Sequence, residues 1–221
     1  MAFTKLQLYN GALVEHCGER PLATITEARE ARRLLDNAWS EGSGAIRACL
    51  EMGQWNFAMR MQKQTPDTSI TPDFGYRYVY AHPTDWVLTT GVWQDEYQRM
   101  PLLQYSDEAG YLFASLQIIY WRYVSDDANY GGNLGLWPQS FADVVKAYLA
   151  SKIIGKLTSD KDRIEKVTHP RTGNLARALL FAKNMSAMAA PTKRPPTGAW
   201  NRSRLGGNRS GDGGNTSSLI G

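Results

Sequence analysis

The sequence predicts an α+β fold: an α-helical bundle of about four helices, a β-rich insertion, and an extended C-terminal arm. Three observations predict it. Apolar residues recur at helical spacing over residues 1–55 and again over 138–190. Between them, residues 56–126 carry short Tyr-, Trp-, Val- and Ile-containing runs bounded by turn residues. From residue 191 the chain turns rich in Gly and Pro and nearly loses its apolar residues. With 221 residues, this is one domain of residues 1–190 followed by an arm of residues 191–221. A domain of this size buries about 70% of its unfolded surface and needs no metal or disulfide staple.

Each element has a local reason. Leu6, Tyr9, Leu13 and Cys17 step by three and four, which is one helix face, with Gly18 placed for a C-terminal cap and Pro21 beyond it. A second helix is expected from near Thr26, with Glu27 and Glu30 in its first turn and Ala31, Leu35, Ala38, Gly42, Ala45 and Cys49 along its face. Gly42-Ser43-Gly44 weakens that helix at a kink. Strands are expected at Phe57–Gln64, Tyr76–Tyr80, Leu102–Tyr105, Tyr111–Ala114 and Gln117–Val124, with a turn over residues 106–110. Pro83 is read as opening a helical turn, Thr84–Thr90. After a Gly-rich loop, Pro138 opens a helix whose stripe is Phe141, Val145, Leu149, Ile153 and Leu157, widened by Val144 and Tyr148. Ser159 and Asp162 resemble a capping box for the next helix, which Pro170 and Gly173 interrupt. Leu175, Leu179, Ala182, Met185 and Ala189 continue a face up to Pro191.

Charge is placed unevenly. The net charge is +4. The arm holds Lys193, Arg194, Arg202, Arg204 and Arg209 against Asp212, which leaves 20 charges of each sign in residues 1–190. A neutral body with a basic arm lacks the basic face of a folded nucleic-acid-binding domain. The arm alone cannot offset its ordering entropy and is expected to fold on a partner. Its 31 residues could reach roughly 100 Å when extended.

Catalytic signals are sparse. His16, His82 and His169 lie far apart, with no HExxH motif, so no metal site or cofactor is expected. Cys17 and Cys49 are too few for a disulfide framework and are expected as reduced thiols. Neither GxxxxGK[ST] nor GxSxG occurs, and Gly131–Gly135 lacks the strand–loop–helix setting of a phosphate loop. Asp126-Asp127 and Asp95-Glu96 are sequence neighbours whose side chains diverge, unlike the facing carboxyls of a glycosidase. The aromatics Tyr76, Tyr78, Tyr80, Trp86, Trp93, Tyr120, Trp121 and Tyr123 could stack bases, but only Arg77, Arg99 and Arg122 lie among them. Sheet packing and subunit contacts suit them better. No apolar run approaches the roughly 18 residues of a membrane span, and residues 1–7 have no signal-peptide core.

Four blocks carry a family likeness. Tyr76-Arg77-Tyr78-Val79-Tyr80-Ala81-His82-Pro83-Thr84-Asp85-Trp86-Val87 resembles the Y-x-Y-A-x-P-x-D segment of phage tail tubular protein A, the head-to-tail adaptor family of short-tailed phages. Gln54-Trp55-Asn56-Phe57-Ala58 is similar to that family's W-x-F-A junction. The stretch from Trp137-Pro138-Gln139-Ser140-Phe141 to Leu149-Ala150 is similar to its P-x-x-F … L-A helix. Residues 190–204, with Pro195-Pro196, Trp200, Arg202 and Arg204, are similar to adaptor C-terminal tails. The likeness spans residues 3–204.

The resemblance implies a structural virion protein with no enzymatic activity, assembled in the host bacterial cytoplasm. It implies a homo-oligomeric ring of twelve copies beneath the portal protein, with the tail nozzle or tube protein below and double-stranded DNA passing through without sequence reading. Lys193, Arg194, Pro195, Pro196, Trp200, Arg202 and Arg204 would bind the portal, with Trp200 as the anchor. Tyr76, Tyr78, Tyr80, Trp86 and Trp93 would face the tail or neighbouring subunits. The rival readings are the connector of a long-tailed phage, a DNA-binding protein using the basic tail, and a virion-associated hydrolase.

Overall fold

The computed structural model describes residues 2–189. The arm and the seven residues assigned to portal binding lie outside the described residues. Within them the protein is α+β, with six α-helices and two small antiparallel sheets. The chain divides into two compact units. One comprises residues up to 61, 82–90 and from 122 on. The other comprises residues 62–81 and 91–121.

The helical unit starts with α1 (Lys5–Gly11), which Thr4 opens with a complete capping box: its hydroxyl accepts from the Gln7 N–H, and the Gln7 side chain accepts from the Thr4 N–H. The helix runs on in a π-helical stretch, Ala12–Cys17, and ends at Gly18 with φ 66°. That left-handed cap needs glycine. The Arg163 guanidinium donates to the Cys17 carbonyl at 3.0 Å and so also serves this helix end.

The second helix differs from expectation. It begins at Glu30, not near Thr26, because Glu27 turns back to accept from the Ala23 N–H at 2.7 Å. The expected kink is a full break. Gly42 and Gly44 both have positive φ, and the segment divides into α2 (Glu30–Ser40) and α3 (Ala45–Glu51). Pro170 and Gly173 likewise separate α5 (Lys161–Thr168) from α6 (Asn174–Met188). These two breaks turn about four expected helices into six. The α5 cap also moves by one residue: Asp160, not Ser159, accepts from the Asp162 and Arg163 N–H groups.

Helix α4 (Gln139–Leu157) is the centre of this unit. It packs against α1, the π-helical stretch, α2, α3, α5 and α6. Of the expected stripe Phe141, Val144, Val145, Leu149 and Ile153 are buried and Tyr148 and Leu157 half-buried, and Ala142, Ala147, Ala150 and Ile154 are buried as well. A helix apolar all round belongs in a core. Lys146 is buried with them and is held by Glu15 at 3.1 Å and Asp143 at 3.0 Å. Its stem crosses Gly11, where a Cβ would come within 2.5 Å of Lys146 Cδ.

The strands are β1 (Met59–Gln64), β2 (Tyr78–Ala81), β3 (Trp86–Trp93), β4 (Ser106–Glu108), β5 (Tyr111–Ala114) and β6 (Ile119–Ser125). One sheet has the order β1-β6-β3 and the other β2-β5-β4. In the second, Tyr78 pairs with Ala114 and Glu108 with Tyr111. Two expectations are corrected here. Residues 84–90 are not a helical turn: Val87, Thr89, Thr90 and Val92 favour the extended chain, and only the Trp86 N–H closes back on the Pro83 carbonyl. Residues 106–110 are not all turn. Ala109 and Gly110, at φ 50° and 85°, make a two-residue hairpin loop and leave residues 106–108 to the strand. Residues 102–105, expected as a strand, pair only at their start, where the Leu102 N–H donates to the Val92 carbonyl.

On α6 the expected face is rotated. Leu175, Ala178, Leu179 and Ala182 turn to the core, while Met185 and Ala189 are exposed. Ser186 replaces Met185 at the contact: its Oγ donates to the Gln54 carbonyl and accepts from the Asn56 N–H, each at 3.2 Å.

The Phe141 ring is fully buried at the head of α4. Phe141→Ala is expected to cost about 4 kcal/mol, read as a lower urea midpoint with an unchanged m-value.

Candidate functional site

Two blocks of the sequence meet around Phe141. Its ring lies 5.0 Å from Trp55, 4.8 Å from Phe57 and 4.9 Å from Trp137, in edge-on and tilted contacts. Both indoles are satisfied. Trp55 Nε1 donates to the Cys49 and Leu50 carbonyls at 3.1 Å, and Trp137 Nε1 to the Gly131 carbonyl at 2.8 Å. Gly131 explains the Gly-rich loop. A Cβ there would sit 2.3 Å from the Ser125 carbonyl oxygen, so only glycine admits this approach. The loop packs against the β6 terminus.

A third block supplies a polar clamp in the same helical unit. Asp85 is buried after the turn at Pro83. Its carboxylate accepts from Arg60 Nη1 at 2.8 Å, from the Tyr123 hydroxyl at 3.2 Å and from the Ser125 hydroxyl. Arg60 also stands over the Tyr130 ring, 5.3 Å from its centroid. Burial alone would raise the Asp85 pKa. The hydrogen bonds from Ser125 and Arg60 and the charge of Arg60 outweigh it and hold the carboxyl below the usual carboxylate range. Next to it in sequence, the Trp86 carbonyl accepts from Arg47 Nη2, and Arg47 Nη1 pairs with Asp126, both at 2.6 Å. His82 stacks on Trp86 at 4.0 Å between centroids.

The other unit holds Tyr76, Tyr78, Tyr80 and Trp93. Tyr80 is fully buried, and its hydroxyl donates to the Leu116 carbonyl. Burial, with the neighbouring Tyr78, pushes its pKa up to about 12. Tyr76, Tyr78 and Trp93 are half-buried. Tyr78 and Arg77 border a surface groove of about 600 Å³ with Asp67, Ile70 and Ile118. Asp67 closes the groove's loop by accepting from the Ser69 N–H and hydroxyl. The loops of this unit expose Phe74, Tyr97, Met100 and Leu103.

The residues considered for chemistry have structural work. Asp126 pairs with Arg47, Asp127 accepts from the Asn129 N–H, and Asp95 accepts from the Arg99 and Met100 N–H groups. His16 Nδ1 meets the Asn174 amide, and His169 Nδ1 accepts from the Thr172 N–H. Among the described residues no group of three or more His, Cys, Asp or Glu could hold a metal ion, and no helix is long and apolar enough to cross a membrane. Cys17 and Cys49 are buried free thiols. Burial pushes Cys17 up to about 11 and Cys49 higher. The Asp85 clamp went unread in the sequence, because a lone Asp after Pro gives no hint of Arg60, which lies 25 residues upstream.

The arrangement defines an α+β protein built on an aromatic junction and a buried ion pair, with no facing carboxylates and no nucleophile–base pair in this constellation. No protein-family model matches the chain, and no curated protein matches it.

Two outcomes follow from this geometry. Asp85→Asn is expected to cost about 2 kcal/mol, roughly 6 °C in Tm, because Arg60 loses its partner. Since the folded pKa of Asp85 is depressed, its stabilisation is complete above the unfolded value of about 4 and is lost as pH falls through the folded value. The wild-type advantage over Asp85→Asn should therefore shrink in acid, as thermal melts across the acid range will read. The thiols should stay unreactive toward Ellman's reagent at neutral pH until the protein is unfolded.

Proposed function

We propose that the chain is a structural head-to-tail adaptor of a tailed bacteriophage. In this reading twelve copies form a ring under the portal protein, join it to the tail nozzle or tube, and surround the exiting double-stranded DNA without reading its sequence. The protein is part of the virion and is assembled in the host cytoplasm. Residues 1–190 form the adaptor domain, with helical parts at 1–55 and 138–190 and the β-rich insertion at 56–126. Residues 191–221 form the arm. The portal contacts are Lys193, Arg194, Pro195, Pro196, Trp200, Arg202 and Arg204.

One observation carries the reading. The blocks that resemble the adaptor family are far apart in sequence, yet Trp55 and Phe57 meet Trp137 and Phe141 in one cluster. Val87, from the block around Asp85, belongs to the same core. Their likeness is therefore that of one packed junction, which supports kinship more than separate short matches would. The basic arm adds a second support, since it suits a carboxylate-bearing partner. Pro195-Pro196 stiffens that arm and lessens the entropy lost on docking.

Co-sedimentation with purified portal rings tests the reading. The full chain should bind at one copy per portal subunit, and a chain ending at Ala190 should bind far more weakly while keeping its far-UV helicity. Trp200→Ala should cost about 2 kcal/mol of binding, roughly thirtyfold in Kd. A full chain that binds no portal ring sinks the proposal.

A further inference from the structure

Helix α6 is apolar on two sides, and its unit covers only one of them. Ala182 is its buried residue, with Leu175, Ala178 and Leu179 packed beside it. On the outer side Leu180, Phe181, Met185 and Met188 are 64, 58, 45 and 79% exposed. Phe181, Met185 and Met188 follow at steps of four and three, so they line one face, with Arg177 one turn before them. Single exposed apolar residues need no explanation, but a contiguous row marks an interaction surface. A helix apolar on both sides is built to be covered on both.

Charge indicates what covers it. No Asp or Glu occurs between Glu165 and Asp212, a stretch of 46 residues with nine Lys and Arg. The basic character of the arm thus begins inside the fold, at the end of α5. Elsewhere in the helical unit most acids are matched, among them Asp36 with Lys5 and Arg32, Glu27 with Arg29, Glu41 with Lys152, Asp126 with Arg47 and Asp143 with Lys146. Among the described residues Arg177 and Lys183 of α6 make no ion pair. An unpaired Arg177 beside an apolar row, in a stretch of chain without acids, is complementary to an apolar groove rimmed by carboxylates. A second copy is a poorer fit, because most acids of its helical unit are already paired with Lys or Arg. A nucleic acid would be met by cations, not by Leu, Phe and Met.

We propose that the outer face of α6, with Phe181, Met185 and Met188 beside Arg177, docks in an apolar, acid-rimmed groove of a partner protein, and that the basic arm continues the same contact. This inference rests on the adaptor reading, which makes the portal ring the partner to test. It adds a folded element to a contact otherwise assigned to the arm alone.

Portal rings are titrated with the full chain, with the double variant Phe181→Ser, Met188→Ser, and with Phe181→Leu, Met188→Leu. The serine variant should bind at least about tenfold more weakly and melt as the wild type does, since both side chains are exposed. The leucine variant should bind normally. Arg177→Glu should weaken binding most at low salt. A full chain that binds, beside a serine variant that binds equally, overturns the docking face and leaves the adaptor reading standing. A full chain that binds no ring removes both. Phosphatidylglycerol vesicles and sedimentation of the chain alone run in parallel. Vesicle binding or self-association that disappears in the serine variant would assign the face to lipid or to a second copy, and either result overturns the proposal.

Discussion

The helical unit depends on one constraint: α4 must be buried over most of its surface, leaving only Gln139, Lys152, Gly155 and Lys156 exposed. Its apolar residues are not arranged as a stripe, so no single neighbour can cover it. Six other helical segments are recruited to do so. This explains why the surrounding helices are short. Each needs only enough length to cover part of α4, and glycine caps at Gly18, Gly42 and Gly44 let the chain turn back quickly. It also explains Lys146. A cation buried among apolar residues must have counter-charges at hand, and Asp143 lies one turn before it while Glu15 comes from the π-helical stretch. Burial opposes the charged form of Lys146, and the two carboxylates more than restore it.

Helices were legible in the sequence where period and cap agreed. Gly18 ended the first helix as its position indicated, and Phe141, Val145, Leu149 and Ile153 lay buried on α4. Strands were legible less often, for a physical reason. A strand is fixed by its pairing and not by composition alone, so the pairing of residues 106–108 with residues 111–113 competed with turn-like composition and won. Residues 86–93 show the reverse error. Pro83 drew attention to a helix start, while the β-branched residues after it, placed between Trp86 and Trp93, carried the stronger signal.

The candidate site was legible in its aromatic half and hidden in its polar half. Trp55, Phe57, Trp137 and Phe141 stood out only as members of blocks that resemble an adaptor family, and nothing in the sequence said that the two blocks meet. Arg60 lies in none of these blocks, and nothing in the sequence tied it to Asp85. A buried ion pair is visible only when the fold brings its members together, and the hydrogen bonds from Tyr123 and Ser125 that make it tolerable come from a third segment.

The buried residues of the junction and the exposed apolar surfaces are different residues. Trp55, Phe141 and Asp85 are buried in the helical unit, so they specify how the chain folds and touch nothing outside it. Exposed apolar surface lies elsewhere, on the outer face of α6 and on the loops bearing Phe74 and Leu103. A fold of this kind can keep its junction while its contact surfaces diverge, since only the junction is constrained by packing. Contacts with neighbouring proteins should therefore be mapped first on exposed apolar rows and on the acid-free stretch from Lys166 onward, because these are the residues free to meet a partner without dismantling the core.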